Sequence, residues 1–312
     1  MFFKAKNTSS GLSLEDGGFH LLTIEGGGRN RVLNSSYGKF PDKILPSGDI
    51  YENSGAYLSS VFRYVADETG GISSPVNLAL PVSEALLRIV NMPDLSLDDA
   101  RQAFKYEVEN YFPFSESECV YDIAEIDFPA RQDSSEKRFL VAAARKSLID
   151  NIAHAAASNG IRLASIEPSQ IALERAASPD NQADETCVYI YAGIGRSVLV
   201  VSWRGCGIFY HNASGFGDAA KQSPESDEYT GAALSFSREV RSSLQFAMSQ
   251  IRSISAKKAY IFGPGASKQL CETLADWLTL DSIELTDVMR IHGIDFEYGG
   301  SGWETALGLA LR

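Results

Sequence analysis

Residues 77–126 decide the fold of this chain, and they read NLALPVSEALLRIVNMPDLSLDDARQAFKYEVENYFPFSESECVYDIAEI. Two short apolar runs, 76–80 and 85–90, are each followed closely by a proline. Apolar runs of this length between turn residues are typical of strands. A third strand is predicted at 119–126, where apolar and polar residues alternate. The stretch therefore predicts three strands, with a helix between the second and the third.

That helix is predicted to begin after Ser96, whose hydroxyl would cap it, with Asp99 in the place of the capping-box acid. It is predicted to end before Pro113, because proline disfavours a helical residue in front of it. Apolar residues recur along it at helical spacing and give it one apolar face. They are Ala100, Ala103, Phe104, Val108 and Tyr111.

Length and charge narrow the class of protein. With 312 residues, the chain is expected to form more than one domain. Its net charge is -12, which repels phosphate backbones and anionic lipid, so nucleic-acid binding and direct membrane insertion are not expected. No apolar run has the length of a bilayer span, and residues 1–6 lack the apolar core of a signal peptide.

The four cysteines predict neither disulfides nor a metal site. Cys119, Cys187, Cys206 and Cys271 stand singly, with no CxxC and no histidine at metal-ligand spacing. The pattern is typical of free thiols in a reducing cytoplasm.

One arrangement occurs twice. Residues 11–25 predict a strand, a glycine turn and a second strand, and a helix follows with its apolar face at 57–65. After a polar linker at 178–185, the strand, glycine turn and strand recur over 187–203. This internal duplication predicts an α/β protein of two similar lobes.

The stretch "ALP…LLRIVNMPDLS…A…YEVENYFPFSESECVYDIAEI" and the closing residues 304–312, ETALGLALR, resemble the PilM family. These are actin-like cytoplasmic proteins of type IV pilus assembly, related to the division protein FtsA. The resemblance implies an actin-like (ribonuclease H-like) fold with an inserted α+β subdomain in the first lobe.

The resemblance also implies domain boundaries. The first lobe would comprise 1–72 and 161–180, with 303–312 packing back on it. The insert would be 73–160. The second lobe would be 186–302, with an abridged outer subdomain at about 213–255.

In actin-like proteins the two hairpin turns hold phosphates and a magnesium ion through an Asp-x-Gly sequence. The likeness places Glu15 at the first such aspartate, followed by Gly17 and Gly18, with Asp16 as an added acid. Two interpretations stay open. The loop either binds ATP, with Mg²⁺ only if ATP binds, or is a plain hairpin turn.

The second and third nucleotide loops depart further from that pattern. Tyr191 stands where the family has its second aspartate, and a neutral phenol is a poor magnesium ligand. We expect Tyr191 to fill the cleft, which favours a pseudo-ATPase. The remaining candidates for an anion or a nucleotide share backbone amides or positive charge. They are Gly193, Gly195 and Arg196 in the second loop and Gly263 and Gly265 in the third.

The resemblance implies a scaffold at the inner-membrane platform, held there by the cytoplasmic tail of a PilN-like single-span membrane protein. We expect the tail to lie between the insert and the first lobe, and self-association is left open. The candidate contact residues are apolar: Leu86, Ile89, Phe104 and Tyr111. Two alternatives remain: an active actin-like ATPase or kinase, which should carry a carboxylate in place of Tyr191, and a GspL-like cytoplasmic component of type II secretion.

Overall fold

A computed structural model describes residues 7–15, 17–26, 30–44, 55–129, 136–178, 186–251, 254–295 and 302–312. The predicted linker at 178–185, apart from Ser178, and Asp16 lie outside these residues. Among the described residues, no helix combines the length and the apolar character needed to cross a membrane.

The elements of the first half alternate between strands and helices. The chain begins with β1 (Asn7–Ser13), β2 (Gly18–Gly26), β3 (Arg31–Lys39), α1 (Gly55–Glu68) and β4 (Val76–Leu80). It continues with β5 (Leu86–Pro93), α2 (Leu97–Phe104), α3 (Val108–Tyr111), β6 (Cys119–Ile126) and β7 (Glu136–Arg145). Then come α4 (Lys146–Ser158), β8 (Leu163–Pro168) and α5 (Ser169–Ala177).

The second half repeats the pattern of the first without a comparable insert. Its elements are β9 (Thr186–Tyr191), β10 (Arg196–Trp203), β11 (Cys206–Ser214), α6 (Asp227–Gln250), β12 (Lys258–Phe262), α7 (Lys268–Ala275), β13 (Ser282–Leu285), α8 (Val288–Ile291) and α9 (Glu304–Ala310).

Two five-stranded sheets have the same design. The first has the order β3-β2-β1-β4-β8 and the second β11-β10-β9-β12-β13. In both, three antiparallel strands are extended by two parallel ones. The duplication predicted from the glycine turns is therefore present in the sheets.

Apolar layers cover both faces of each five-stranded sheet. Helices α1 and α4 pack on the outer face of the first sheet, and α6 and α7 on the outer face of the second. The inner faces meet in a shared core with α5, α8 and α9. Since α9 lies against β1, β2 and β4, the last described residues pack on the first lobe.

The insert is smaller than the predicted 73–160. Its sheet has the order β5-β7-β6, and α2 and α3 cover one face. Val76–Leu80, predicted to belong to it, instead pairs with β1 and β8 in the first sheet, where all five residues are buried. Helix α4 also lies with the first lobe, because Ile152, Ala155 and Ala156 pack into the same core as α1.

The central helix of the deciding stretch begins as predicted. The backbone N–H of Asp99 donates to Ser96 Oγ (3.2 Å), and Ser96 Oγ donates to the Asp99 carboxylate (2.7 Å). The helix is, however, two helices, because a turn at 105–107 separates α2 from α3. There the backbone N–H groups of Tyr106 and Glu107 bond three residues back rather than four.

The outer part of the second lobe is one long helix with a short 3₁₀ turn, Gly217–Lys221, before it. Ser226 caps α6 by accepting from the N–H of Tyr229 (3.1 Å). The region predicted as an abridged subdomain at about 213–255 thus packs directly on the second sheet.

Candidate functional site

Polar groups of the first hairpin turn, between β1 and β2, form hydrogen bonds with other groups of the same chain. Gly17 has a φ of 76°, and the N–H of Gly18 donates to the carbonyl of Glu15 (3.0 Å). The Glu15 carboxylate accepts from the hydroxyl of Thr305 (2.9 Å), in the first turn of α9. The predicted metal-holding carboxylate therefore ties the hairpin to the closing helix.

In the second turn, between β9 and β10, an aromatic ring fills the space beside the glycines. The ring of Tyr191, 6% exposed, lies 2.6 Å from where a Cβ on Gly193 would stand. It also lies 2.7 Å from the same position on Gly263, whose φ is 102°. Both approaches are closer than a real Cβ tolerates, so these two positions accept only glycine while the ring is there.

Backbone amides of these loops are engaged in the fold. The N–H of Gly193 donates to Ser197 Oγ (3.1 Å), and that of Gly265 donates to the carbonyl of Ala192 (2.8 Å). Arg196 begins β10 with an exposed side chain, and Gly195 is exposed beside it. Of the second-loop candidates, Gly195 and Arg196 alone face solvent.

The third loop, after β12, packs against side chains of the second lobe and is hydrogen-bonded to them. The hydroxyl of Tyr229 donates to the carbonyl of Gly265 (2.6 Å) and lies 2.7 Å from Ser267 Oγ. The ring of Phe216 stands 2.8 Å from where a Cβ on Gly265 would be. The loop therefore packs against its own lobe.

A cleft of about 270 Å³ opens beside Gly263 and is lined by two acids. Asp287 caps α8 by accepting from the N–H groups of Met289 and Arg290 (3.1 and 3.2 Å). Glu304 accepts from the N–H of Gly302 (2.8 Å). The described lining of the cleft thus carries two carboxylates and neither lysine nor arginine.

Behind the cleft, the imidazole of His20 meets the indole of Trp303 edge-on, with 4.9 Å between ring centres. Burial lowers the pKa of His20 to about 4, so this ring is neutral at physiological pH. It adds no positive charge to the site.

A groove of about 220 Å³ lies between the insert and the first lobe. Its insert wall includes five consecutive residues of β6, 120–124, so the groove follows the edge of that strand as well as the face of the sheet. Strand β6 is an edge strand, and Val120 is 41% exposed. Small apolar side chains of β7 complete this wall: Leu140, Ala142, Ala143 and Ala144.

The opposite wall comes from the first lobe and carries charge at one end. Ile149 of α4 and Ile171 of α5 supply apolar surface, and Glu167 and Arg312 supply the charges. The Glu167 carboxylate pairs with Arg175 (2.7 Å) and lies 3.7 Å from Arg312. With Asp122 on the insert wall, the groove is apolar along its length and has acidic groups on both sides.

The four predicted contact residues do not line this groove. Phe104 is fully buried in the core of the insert, with Tyr111 5.7 Å away and Leu86 packed against the same core. Ile89 packs toward the second lobe. The prediction is therefore wrong for Phe104, because the apolar face of α2 covers the insert's own sheet.

Sequence reasoning missed the groove residues on β6 and β7. A signal was present in 139–144, FLVAAA, where side chains on both faces of the strand are apolar. Such a run indicates a strand with apolar surroundings on both faces. Here α2 packs on one face, and the other face lines the groove. No group of three His, Cys, Asp or Glu side chains in the described ranges is placed to hold a metal ion.

Comparison with known proteins places this geometry in a family. Residues 38–222, more than half of the chain, match the family described as type IV pilus assembly protein PilM. Among solved structures, the "PilM-PilN type IV pilus biogenesis complex" superposes with a TM-score of 0.77 at 22% identity, covering 97% of this chain and 98% of that one. This match confirms the predicted actin-like, two-lobed α/β fold.

A second solved structure resembles the chain less closely. It is the cytoplasmic domain of EpsL, an inner membrane component of the type II secretion system of Vibrio cholerae. Its TM-score is 0.51 at 11% identity, covering 97% of this chain and 93% of that one, which shows a shared fold alone. No curated protein matches the sequence significantly.

Proposed function

The chain belongs to the PilM family of type IV pilus assembly proteins, and we propose that it is a scaffold that docks the cytoplasmic tail of a PilN-like single-span membrane protein. The observation that carries the proposal is the open groove between the insert and the first lobe. The solved complex with a similar fold contains PilN, which supports a partner of that kind.

The edge of β6 gives the groove a means of holding an extended peptide. A tail lying along 120–124 would add a strand to the insert's sheet through main-chain hydrogen bonds. The N–H of Ile123 is bonded to the carboxylate of Asp122 (2.9 Å), a contact that a peptide carbonyl would replace. Apolar side chains of the tail would lie against Ala142 and Ile149.

Charge favours a tail that carries a basic residue as well as apolar ones. The attraction comes from the net charge of -12 on the whole chain, because the two acids of the groove are already paired, Asp122 with Arg101 (2.9 Å) and Glu167 with Arg175 (2.7 Å). A tail of this kind would hold the protein at the cytoplasmic side of the inner membrane without a lipid anchor.

The proposal includes a degenerate nucleotide site. It is supported by the ring of Tyr191 between Gly193 and Gly263, by the engaged amides of Gly193 and Gly265, and by the acidic cleft. These residues do not fit Mg²⁺-ATP, because the second loop offers the metal no carboxylate. No step of the proposed function therefore depends on ATP.

Calorimetric titration with the tail peptide tests the proposal. We expect a Kd in the micromolar range, about -8 kcal/mol, for the unmodified protein. Ala142→Phe, which fills the groove, is expected to abolish binding. The matched control is Ala157→Phe, on the exposed side of α4 and away from the groove, which should bind as the unmodified protein does. Equal affinity for the two variants would exclude this groove.

A further inference from the structure

The outer face of α6 presents an aromatic ring between two arginines. The guanidinium carbons of Arg238 and Arg241 lie 5.6 and 5.5 Å from the ring centre of Trp277. Leu234, on the same stripe of the helix, is 37% exposed. We call Leu234, Arg238, Arg241 and Trp277 the α6 face.

The two arginines of the α6 face have no carboxylate partner in the described part of the chain. This is unusual for a chain with 40 acidic and 28 basic residues. The surrounding sequence is locally basic, since residues 229–258 contain five basic residues and one acidic residue. The exposed arginines of the α6 face therefore lie in a basic stretch of an otherwise acidic chain.

The opposite charge is concentrated on the insert. Residues 94–122 contain eight acidic and two basic residues, a net charge of -6. In the turn between α2 and α3, Tyr106 is 85% exposed. Glu107 and Glu109 are exposed beside the tyrosine in the chain. We call Tyr106, Glu107 and Glu109 the insert tip.

We propose that the insert tip of one molecule docks on the α6 face of a second molecule. The two surfaces suit each other in charge, and each has exposed aromatic or aliphatic side chains that a contact would remove from water. Within the described ranges no carboxylate pairs with Arg238 or Arg241, which leaves both guanidinium groups available to a second molecule. This proposal does not rest on the PilN-like partner.

Charge also decides which surfaces of the two molecules pair. Two α6 faces brought together would oppose four guanidinium groups, and two insert tips would oppose four glutamates. The favourable pairing joins the insert tip of one molecule to the α6 face of the other, either once in a head-to-tail contact or twice in a symmetric dimer.

Sedimentation velocity over a range of protein concentrations tests the proposal. We expect the average mass to rise between about 10 and 500 μM, where contacts with few anchor residues dissociate. Raising the salt from about 0.05 to 0.5 M should reverse the rise, because the charges are exposed. Tyr106→Ala should weaken association by about tenfold, as expected for a tyrosine anchor.

Charge-reversal variants test whether the insert tip and the α6 face are the two surfaces in contact. R238E/R241E and E107K/E109K should each be monomeric, whereas a mixture of the two should associate, because complementary surfaces are again available. The control R63E/R88E makes the same change in net charge on exposed arginines elsewhere and should associate as the unmodified protein does. Melting temperatures show that each variant is folded.

Three results would overturn the proposal. They are an unmodified protein that stays monomeric throughout, an R238E/R241E variant that still associates, and a mixture of the two reversed variants that remains monomeric. Association of E107K/E109K alone would equally exclude the insert tip as the partner of the α6 face.

Discussion

The glycine loops of the second lobe and the groove beside the insert differ in what occupies them. The ring of Tyr191 fills the space between Gly193 and Gly263, and the neighbouring amides are bonded within the chain. The groove, in contrast, is open and is bordered by an edge strand. Side chains therefore fill the space beside the second-lobe glycines, whereas a groove of about 220 Å³ stays open between the insert and the first lobe.

The largest effect is expected where the packing of the loops is tightest. Gly193→Ala would place a Cβ 2.0 Å from the carbonyl oxygen of Arg196 and 2.6 Å from the ring of Tyr191. We expect a loss of about 3 kcal/mol in the free energy of unfolding, since a backbone atom cannot move aside cheaply. Denaturant titration measures this loss.

The matched control is Gly231→Ala in α6, where nothing lies within 4 Å of the added Cβ. A helical glycine replaced by alanine should stabilise the protein by about 0.5–1 kcal/mol. If both variants changed stability by the same amount, the second loop would not be the packed region described above.

A somewhat smaller effect on stability is expected from Glu174, which lies between α5 and the second sheet. Glu174 of α5 is buried, and it accepts from the hydroxyls of Tyr210 (2.5 Å) and Ser202 (3.0 Å) on the second sheet. Burial raises the pKa of Glu174 to about 7, while those hydrogen bonds and Arg175 act in the opposite direction. The burial of Tyr210 and the nearby Glu174 charge raise the pKa of Tyr210 as well.

The sign of the pH dependence follows from the raised pKa. Between the ordinary carboxyl value of 4.5 and about 7, the folded protein binds more protons at Glu174 than the unfolded chain does. This group therefore lowers stability as pH rises through that window. Glu174→Gln keeps both hydrogen-bond partners without the charge, and it should be more stable by about 2 kcal/mol at pH 8 and indistinguishable near pH 4.5. Melting curves at the two pH values would contradict this if the gain were larger at low pH.

Local chemistry could be predicted from the sequence. The cap formed by Ser96 and Asp99 depends on residues three apart, and the structure has both hydrogen bonds. The repeated strand, glycine turn and strand also needed only neighbouring residues. Such features are determined by the backbone of one short segment.

Choices between distant partners could not be predicted in the same way. Val76–Leu80 is a fully apolar strand that would suit either sheet, and its pairing depends on the register of β1 and β8. Likewise, the apolar stripe with Phe104 shows that α2 covers something, while the insert's own sheet or a partner would satisfy it equally. Sequence spacing alone does not decide between two apolar surfaces.

The smallest effect is expected from ATP, and it sharpens the contrast between the filled loops and the open groove. The proposed function has the ring of Tyr191 beside Gly193 and Gly263, and the Glu15 carboxylate bonded to Thr305, in place of a site for Mg²⁺-ATP. Saturating Mg²⁺-ATP should therefore leave both the melting temperature and the affinity for the tail peptide unchanged, because only a ligand that binds the folded state shifts its stability. Phosphate release should stay at background and should not change in Glu15→Ala. A rise in melting temperature that disappears in Glu15→Ala would show instead that the loops still bind a nucleotide, with the ring of Tyr191 displaced from between the glycines.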